Sequence, residues 1–212
     1  MDFVENVKVL SLDISSSTGW AWLDTEIGPG SLIYGCIQLE KKAREYGKHP
    51  YGFKHAAEDM ASRLKALSEQ HPSDVIVIEE TNGGGRARFT QKYLEYLHFA
   101  TLNTLPEDGR IVYVSTSDWR KVTETHLSKE DKNRNAKLSR HKKNASLRGT
   151  KLDKKSLGIA GKTTIKHVAI RRVRELYGIE LLKTQDDPAD AILLLHSFIN
   201  GVRPCTGSEK ER

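Results

Sequence analysis

The chain has 212 residues, 37% of them hydrophobic and 29% charged, with a formal net charge of +6. That is enough to bury one core, and the expected organisation is a single domain over residues 1–200 followed by a polar tail over 201–212. No stretch approaches the roughly 18 uninterrupted apolar residues of a membrane span, the N-terminus lacks a basic region leading into an apolar core, and the two cysteines, Cys36 and Cys205, lie in unlike contexts, so a cytoplasmic protein without a membrane partner is expected.

In chain order, the apolar run Val7–Leu12 reads as a strand ending at Asp13. The hydroxyl-rich turn Ser15–Gly19 leads to a second strand around Trp20–Leu23 and a third around Ser31–Leu39, an antiparallel meander. Phe53, Ala56, Ala57, Met60, Ala61, Leu64 and Leu67 have the spacing of one helix face over Tyr51–Gln70. A fourth strand, Asp74–Ile78, runs into Glu79. The Gly-rich connection Thr81–Arg86 opens a helix over Ala87–Leu102, and Pro106–Gly109 turns the chain into a fifth strand, Arg110–Val114. From about 127 to 161 the chain is basic without convincing periodicity. Helices are then expected over Lys162–Tyr177, stopped at Gly178, and over Pro188–Asn200.

Charge is distributed unevenly along this order. Residues 120–172 hold 17 Lys or Arg against four acids, a local +13, so the rest of the chain carries −7. Such a field suits a polyanion, and nucleic acid is the commonest one in a cell; a solvated basic loop is the plainer reading. The candidate DNA-contacting cations are Arg86 and Arg88, Lys121, then Arg134, Lys137, Arg140, Lys142, Lys143 and Arg148, and finally Lys151, Lys154 and Lys155.

Four acids stand at element ends. Asp13 and Glu79 follow strands, and strand carboxyl ends form the ligand-binding edge of an α/β sheet. Asp187 and Asp190 open the last helix three residues apart, on one face. Asp187 before Pro188 also suits an ordinary helix cap. Glu79 and Glu80 point to opposite sheet faces, so only one can face a site.

Three strands, a helix, a strand, a helix, a strand and a terminal pair of helices is the order of the ribonuclease H-like fold: an α/β architecture with a five-stranded mixed sheet flanked by helices, here with a basic insertion before the last two. The chain resembles RuvC-type Holliday junction resolvases in Leu10–Asp13 with Gly19, Tyr34–Ile37, Val77–Glu80, Trp119–Lys121, Gly161–Lys162 and Asp187–Ala191. The resemblance implies a Mg²⁺-dependent endodeoxyribonuclease that acts as a homodimer on branched DNA, above all four-way junctions, by paired symmetric cuts. It selects Glu79 over Glu80 and Asp187 over Asp186. Asp13, Glu79, Asp187 and Asp190 are then the ligands of two Mg²⁺ ions, replaceable by Mn²⁺, because hard divalent cations prefer carboxylate oxygen. Lys162 and Lys121 match the basic residues near the scissile strand, with Lys162 assigned a catalytic role. His196 reads as a packed or surface histidine.

Two departures from the bacterial pattern bear on substrate choice. The aromatic expected soon after the catalytic glutamate is replaced by Asn82, with Phe89 a substitute or simply part of the next helix, and the basic insertion is longer; both suit recognition by shape and charge, and a bacteriophage source. The helix Ala87–Leu102, through Tyr93, Leu94, Tyr96, Leu97 and Phe99, is the candidate dimer contact. A general flap or branched-DNA nuclease of the same fold is the alternative. An actin-like or sugar-kinase-like ATPase would also start with a strand, Asp13 and a hydroxyl-rich turn, but repeats its fold in two domains.

Overall fold

The computed structural model describes residues 6–40, 45–80, 88–105, 110–150 and 161–202. A mixed sheet of five strands forms its centre: β1 (Lys8–Asp13), β2 (Ser17–Asp24), β3 (Ile33–Gln38), β4 (Val75–Glu79) and β5 (Arg110–Val114), in the order β3-β2-β1-β4-β5. The first three are an antiparallel meander, whereas β4 and β5 run parallel to β1. The helices are α1 (Tyr51–Gln70), α2 (Arg88–Thr104), α3 (Thr116–Val122), α4 (Lys129–Leu147), α5 (Ile165–Tyr177) and α6 (Asp186–Ile199). The expected five-stranded, helix-flanked architecture is present.

The strand pleat sorts the side chains into two cores. On one face Val9, Ala21, Leu23, Val75, Val77, Val112 and Val114 pack against α5, α6 and Trp119 of α3. On the other, Leu10, Leu12, Ile76 and Ile78 pack against Phe53, Met60 and Leu64 of α1 and Tyr93, Leu94 and Leu97 of α2. Burying both faces explains why β1 and β4 read as near-continuous apolar runs rather than alternating ones. Ser11, a polar residue in that run, is fully buried because its Oγ donates to the Ala191 carbonyl at 2.7 Å and to that of Ala21 at 3.2 Å. It thereby ties β1 to the second turn of α6.

Three expectations about the helices are corrected. The basic stretch is not aperiodic loop throughout: Lys129–Leu147 is a helix of 19 residues, capped by Ser128, whose Oγ accepts from the Asp131 N–H at 3.0 Å. Its buried positions, Asp131, Asn135 and Leu138, have helical spacing, but two of the three are polar, so no hydrophobic period marks them. Lys162 lies outside α5, which starts at Ile165 behind a capping box of Thr164 and His167. Asp187 is not the cap of α6: Gln185 occupies that position without a side-chain cap, and Asp187 lies within the first turn. The α3 helix, absent from the sequence reading, is capped by Ser115, which accepts from the Asp118 N–H. Asn82, Arg86, Lys151, Lys154, Lys155 and the tail from residue 203 lie outside the described residues.

Candidate active site

The sheet register brings the first two acids together. β1 and β4 pair in parallel, with Leu12 opposite Ile78, so Asp13 and Glu79 end adjacent strands side by side. Alternation fixes their face: Val9 and Ser11 point toward α6, and Asp13 follows them, just as Glu79 follows Val75 and Val77. Glu80 falls on the opposite phase. The N-terminus of α6 brings Asp187 and Asp190 to this same face. Gly19 is what permits that approach, because a Cβ there would lie 2.0 Å from the Asp187 carbonyl oxygen and 3.1 Å from the Pro188 nitrogen. The backbone of α6 rests directly on β2 opposite Asp13, the register partner of Gly19.

Hydrogen bonds orient two of the acids. Glu79 accepts from Thr116 Oγ1 at 2.5 Å and from Trp119 Nε1 at 3.0 Å, so α3 holds both its oxygens. Ser17 Oγ donates to Asp187 Oδ2 at 2.6 Å and lies 3.0 Å from Cys36 Sγ. Two other hydroxyls of the β1–β2 turn are engaged internally, Ser15 Oγ donating to the Ser17 carbonyl and Thr18 Oγ1 to that of Ser15, while Ser16 is exposed. They therefore close the hairpin rather than form an open phosphate loop.

The other two acids are left electrostatically unsatisfied. Burial, then repulsion from Glu79, Asp190 and Asp187, raises the Asp13 carboxyl well above its ordinary range, with Arg120 opposing. For Asp190 burial dominates; Arg120 and Lys166 oppose it, Glu79 and Asp186 add to it, and the result is a pKa pushed up to about 7. Part of each residue reaches solvent, but Asp190 Oδ1 is buried with no hydrogen-bond partner. Among the described residues, no group of three His, Cys, Asp or Glu side chains is arranged to hold a metal ion as the side chains stand. The four acids share one field instead, with Glu79 and Asp187 held by hydrogen bonds of their own.

This chemistry fits a divalent cation. Four hard oxygen donors lie at one sheet edge, one buried carboxylate oxygen is orphaned, and burial together with repulsion disfavours ionisation of Asp13 and Asp190 until a positive charge arrives. Asp13, Glu79, Asp187 and Asp190 are the residues that would hold it.

The cations nearest in effect are not those expected from the sequence. Arg120 is half-buried, with its guanidinium 4.9 Å from the centre of the Trp119 ring and a buried Nε without a partner. Lys166 pairs with Asp186, so Asp186 is engaged rather than idle. Lys121 is exposed and lines a cleft with Arg120 and Lys132. Lys162 is exposed and lines a separate cavity with His167 and Arg171. Lys137, Arg140, Lys142, Lys143 and Arg148 lie along or just beyond α4; all but the N-terminal part of that helix is free of the core. Arg134 is committed to Asp131 and Thr163, and Arg88 opens α2. Phe89 stacks on Tyr93 and meets Phe53 edge-on at 5.0 Å, so it belongs to α2 packing. His196 is half-buried, 2.9 Å from the Tyr177 hydroxyl.

No family model matches the chain and no curated protein matches it. Solved structures do. A Thermus thermophilus RuvC in complex with a Holliday junction substrate superposes with a TM-score of 0.55 at 11% identity, covering 93% of this chain and 99% of that one. A second T. thermophilus RuvC structure gives 0.53 at 12% identity with the same coverage. The chain has the RuvC fold. At this identity the likeness establishes the fold alone, over 93% of the chain. The case for a RuvC-like site rests on the chain's own residues.

Proposed function

We propose that this protein is a metal-dependent, structure-specific DNA endonuclease that resolves four-way junctions by paired, symmetric phosphodiester cleavage. The observation that carries the reading is the convergence of Asp13, Glu79, Asp187 and Asp190 at one sheet edge, with two of them destabilised as anions, in a fold shared with a RuvC solved on its junction substrate. Bound Mg²⁺, or Mn²⁺ in its place, would stabilise the entering and leaving oxygens of an in-line displacement. Thr116 and Trp119 fix the rotamer of Glu79, Ser17 fixes that of Asp187, and Gly19 keeps α6 close enough for its acids to share a centre with Asp13. Arg120 counters the excess negative charge and suits a phosphate contact at the rim.

Two symmetric cuts require two such sites, hence a homodimer. Of the five α2 residues expected at the contact, Tyr93, Leu94 and Leu97 are core and Tyr96 is half-buried against it; Phe99, 68% exposed, remains, and Leu102 and Phe89, each 43% exposed, join it. These supply an apolar surface for a second copy. The basic face of α4 supplies attraction for DNA arms.

Cleavage of a synthetic four-way junction, a flap and a linear duplex with Mg²⁺, with mapped cut sites, tests the reading. Paired nicks at symmetric positions in the junction are expected. Preferential cutting of the flap would favour the general branched-DNA nuclease, and no cutting of any branched substrate with Mg²⁺ or Mn²⁺ would refute both.

A further inference from the structure

Outside the carboxylate site, the structure holds a cavity of about 520 Å³ between the segment 161–163, one flank of α5 and the segment 180–183. Its rim carries Lys162, Arg171, Arg174 and Lys183, with His167 among them and Glu180 as its one acid. That acid is paired with Arg174, at 2.9 Å, and Arg171 lies 3.8 Å from Glu175 on its own helix, so Lys162 and Lys183 carry the cavity's uncompensated positive charge. The floor is aliphatic, from Ile170 and Leu181. His167, Ile170, Arg171 and Arg174 share this flank by helical spacing. The capping box fixes the His167 ring: its Nδ1 accepts from the Thr164 N–H at 3.1 Å, so in the neutral ring the proton lies on Nε2, a donor available to a ligand.

We infer that this groove is a binding track for the sugar–phosphate backbone of a DNA arm, outside the step that is cut. The inference rests on the nuclease reading above. Two placements support DNA over a small anion. Lys166, the residue before His167, turns toward the acids to pair with Asp186, so the groove adjoins the active-site face of α5. The groove's other wall continues into the basic helix, because Asn135 of α4 bonds both backbone groups of Thr163, at 2.7 and 3.0 Å. A strand leaving the acids therefore finds cations on α5 and then on α4. A cationic rim over an aliphatic floor complements phosphates and deoxyribose and provides attraction without base reading.

The test is Lys162→Gln with Lys183→Gln, measured by binding of a labelled four-way junction and of a linear duplex over a salt series without divalent metal. The slope of log affinity against log salt should fall by about 2, at roughly 0.9 per lost phosphate contact, on both probes alike, with an unchanged melting temperature. Lys48→Gln with Lys65→Gln removes two charges away from the groove and should leave the slope unaltered. An unchanged slope in the groove variant, or an equal fall in the control, overturns the groove while leaving the nuclease reading intact if the wild type binds and cuts. A wild-type protein that binds neither probe overturns both.

Discussion

The carboxylate edge and the basic helix α4 are built on opposite plans. At the edge, the acids are placed by stiff elements: Asp13 and Glu79 by strand register, Glu79 again by Thr116 and Trp119, Asp187 by Ser17, and Asp187 and Asp190 together by α6 lying on Gly19. Along α4 only Asp131, Asn135 and Leu138 are buried; Leu147 at its end is 77% exposed, and the cations project into solvent. Chemistry on a phosphate depends on sub-ångström placement, whereas long-range attraction depends on how much charge is present and little on its exact geometry. Precision and attraction are thus assigned to different elements, and substitutions in the two should fail differently.

The largest effect is expected at the edge. Asp13→Asn should lower junction cleavage by ~10³-fold or more while leaving junction affinity within about twofold, since it removes a ligand central to charge stabilisation in the reaction; single-turnover cleavage alongside equilibrium binding separates the two. The converse is expected on α4. Replacing Lys137, Arg140, Lys142 and Lys143 with Gln should weaken junction binding by roughly 10- to 100-fold and flatten its salt dependence, yet leave the cleavage rate of saturated complex nearly unchanged. A large fall in that rate would break the division of labour.

A smaller effect probes the stiffness of the edge. Trp119→Phe removes the Nε1 donor to Glu79 while keeping an aromatic ring in the core, and cleavage should fall about tenfold, the scale of a hydrogen bond to a charged group. The smallest concerns stability. The Asp190 carboxyl has a folded pKa of about 7 against an ordinary 3.8, so between those values the folded state keeps a proton that the unfolded chain has released. Stability without metal should therefore fall as pH rises from about 4 to 7. Asp190→Asn should flatten that fall and, at neutral pH, stabilise the metal-free protein by about 1 kcal/mol, as thermal melts in chelator would register. A destabilised Asn variant would show that Asp190 is satisfied rather than strained.

The same contrast explains what the sequence made legible. Elements with apolar faces were readable: α1 and β5 begin and end where expected, and β1 and β4 run into Asp13 and Glu79 because both sheet faces are covered. The pleat required that only one of Glu79 and Glu80 face the site, and the resemblance singled out Glu79. Where polar groups build the contact, pattern failed. The α4 helix docks through Asp131 and Asn135, its Asn side chain serving the Thr163 backbone in place of an apolar contact. The helix α3 is seven residues long and anchored by Trp119, too short to show a period. Asp187 has the sequence context of a cap but meets Ser17, a partner 170 residues away that only the folded chain brings near. For the same reason the sequence did not single out Lys166 and Arg120, the cations whose charge acts on Asp190 in the folded chain.

The central claim, that the four carboxylates act as one metal site, is tested most directly by Mn²⁺ binding to the chelator-treated protein, followed by electron paramagnetic resonance. Wild-type protein should bind Mn²⁺ with release of protons near neutral pH, and Asp13→Asn and Asp190→Asn should each abolish or sharply weaken that binding without unfolding the chain. Mn²⁺ binding of equal stoichiometry and affinity in the wild type and both variants would contradict the account.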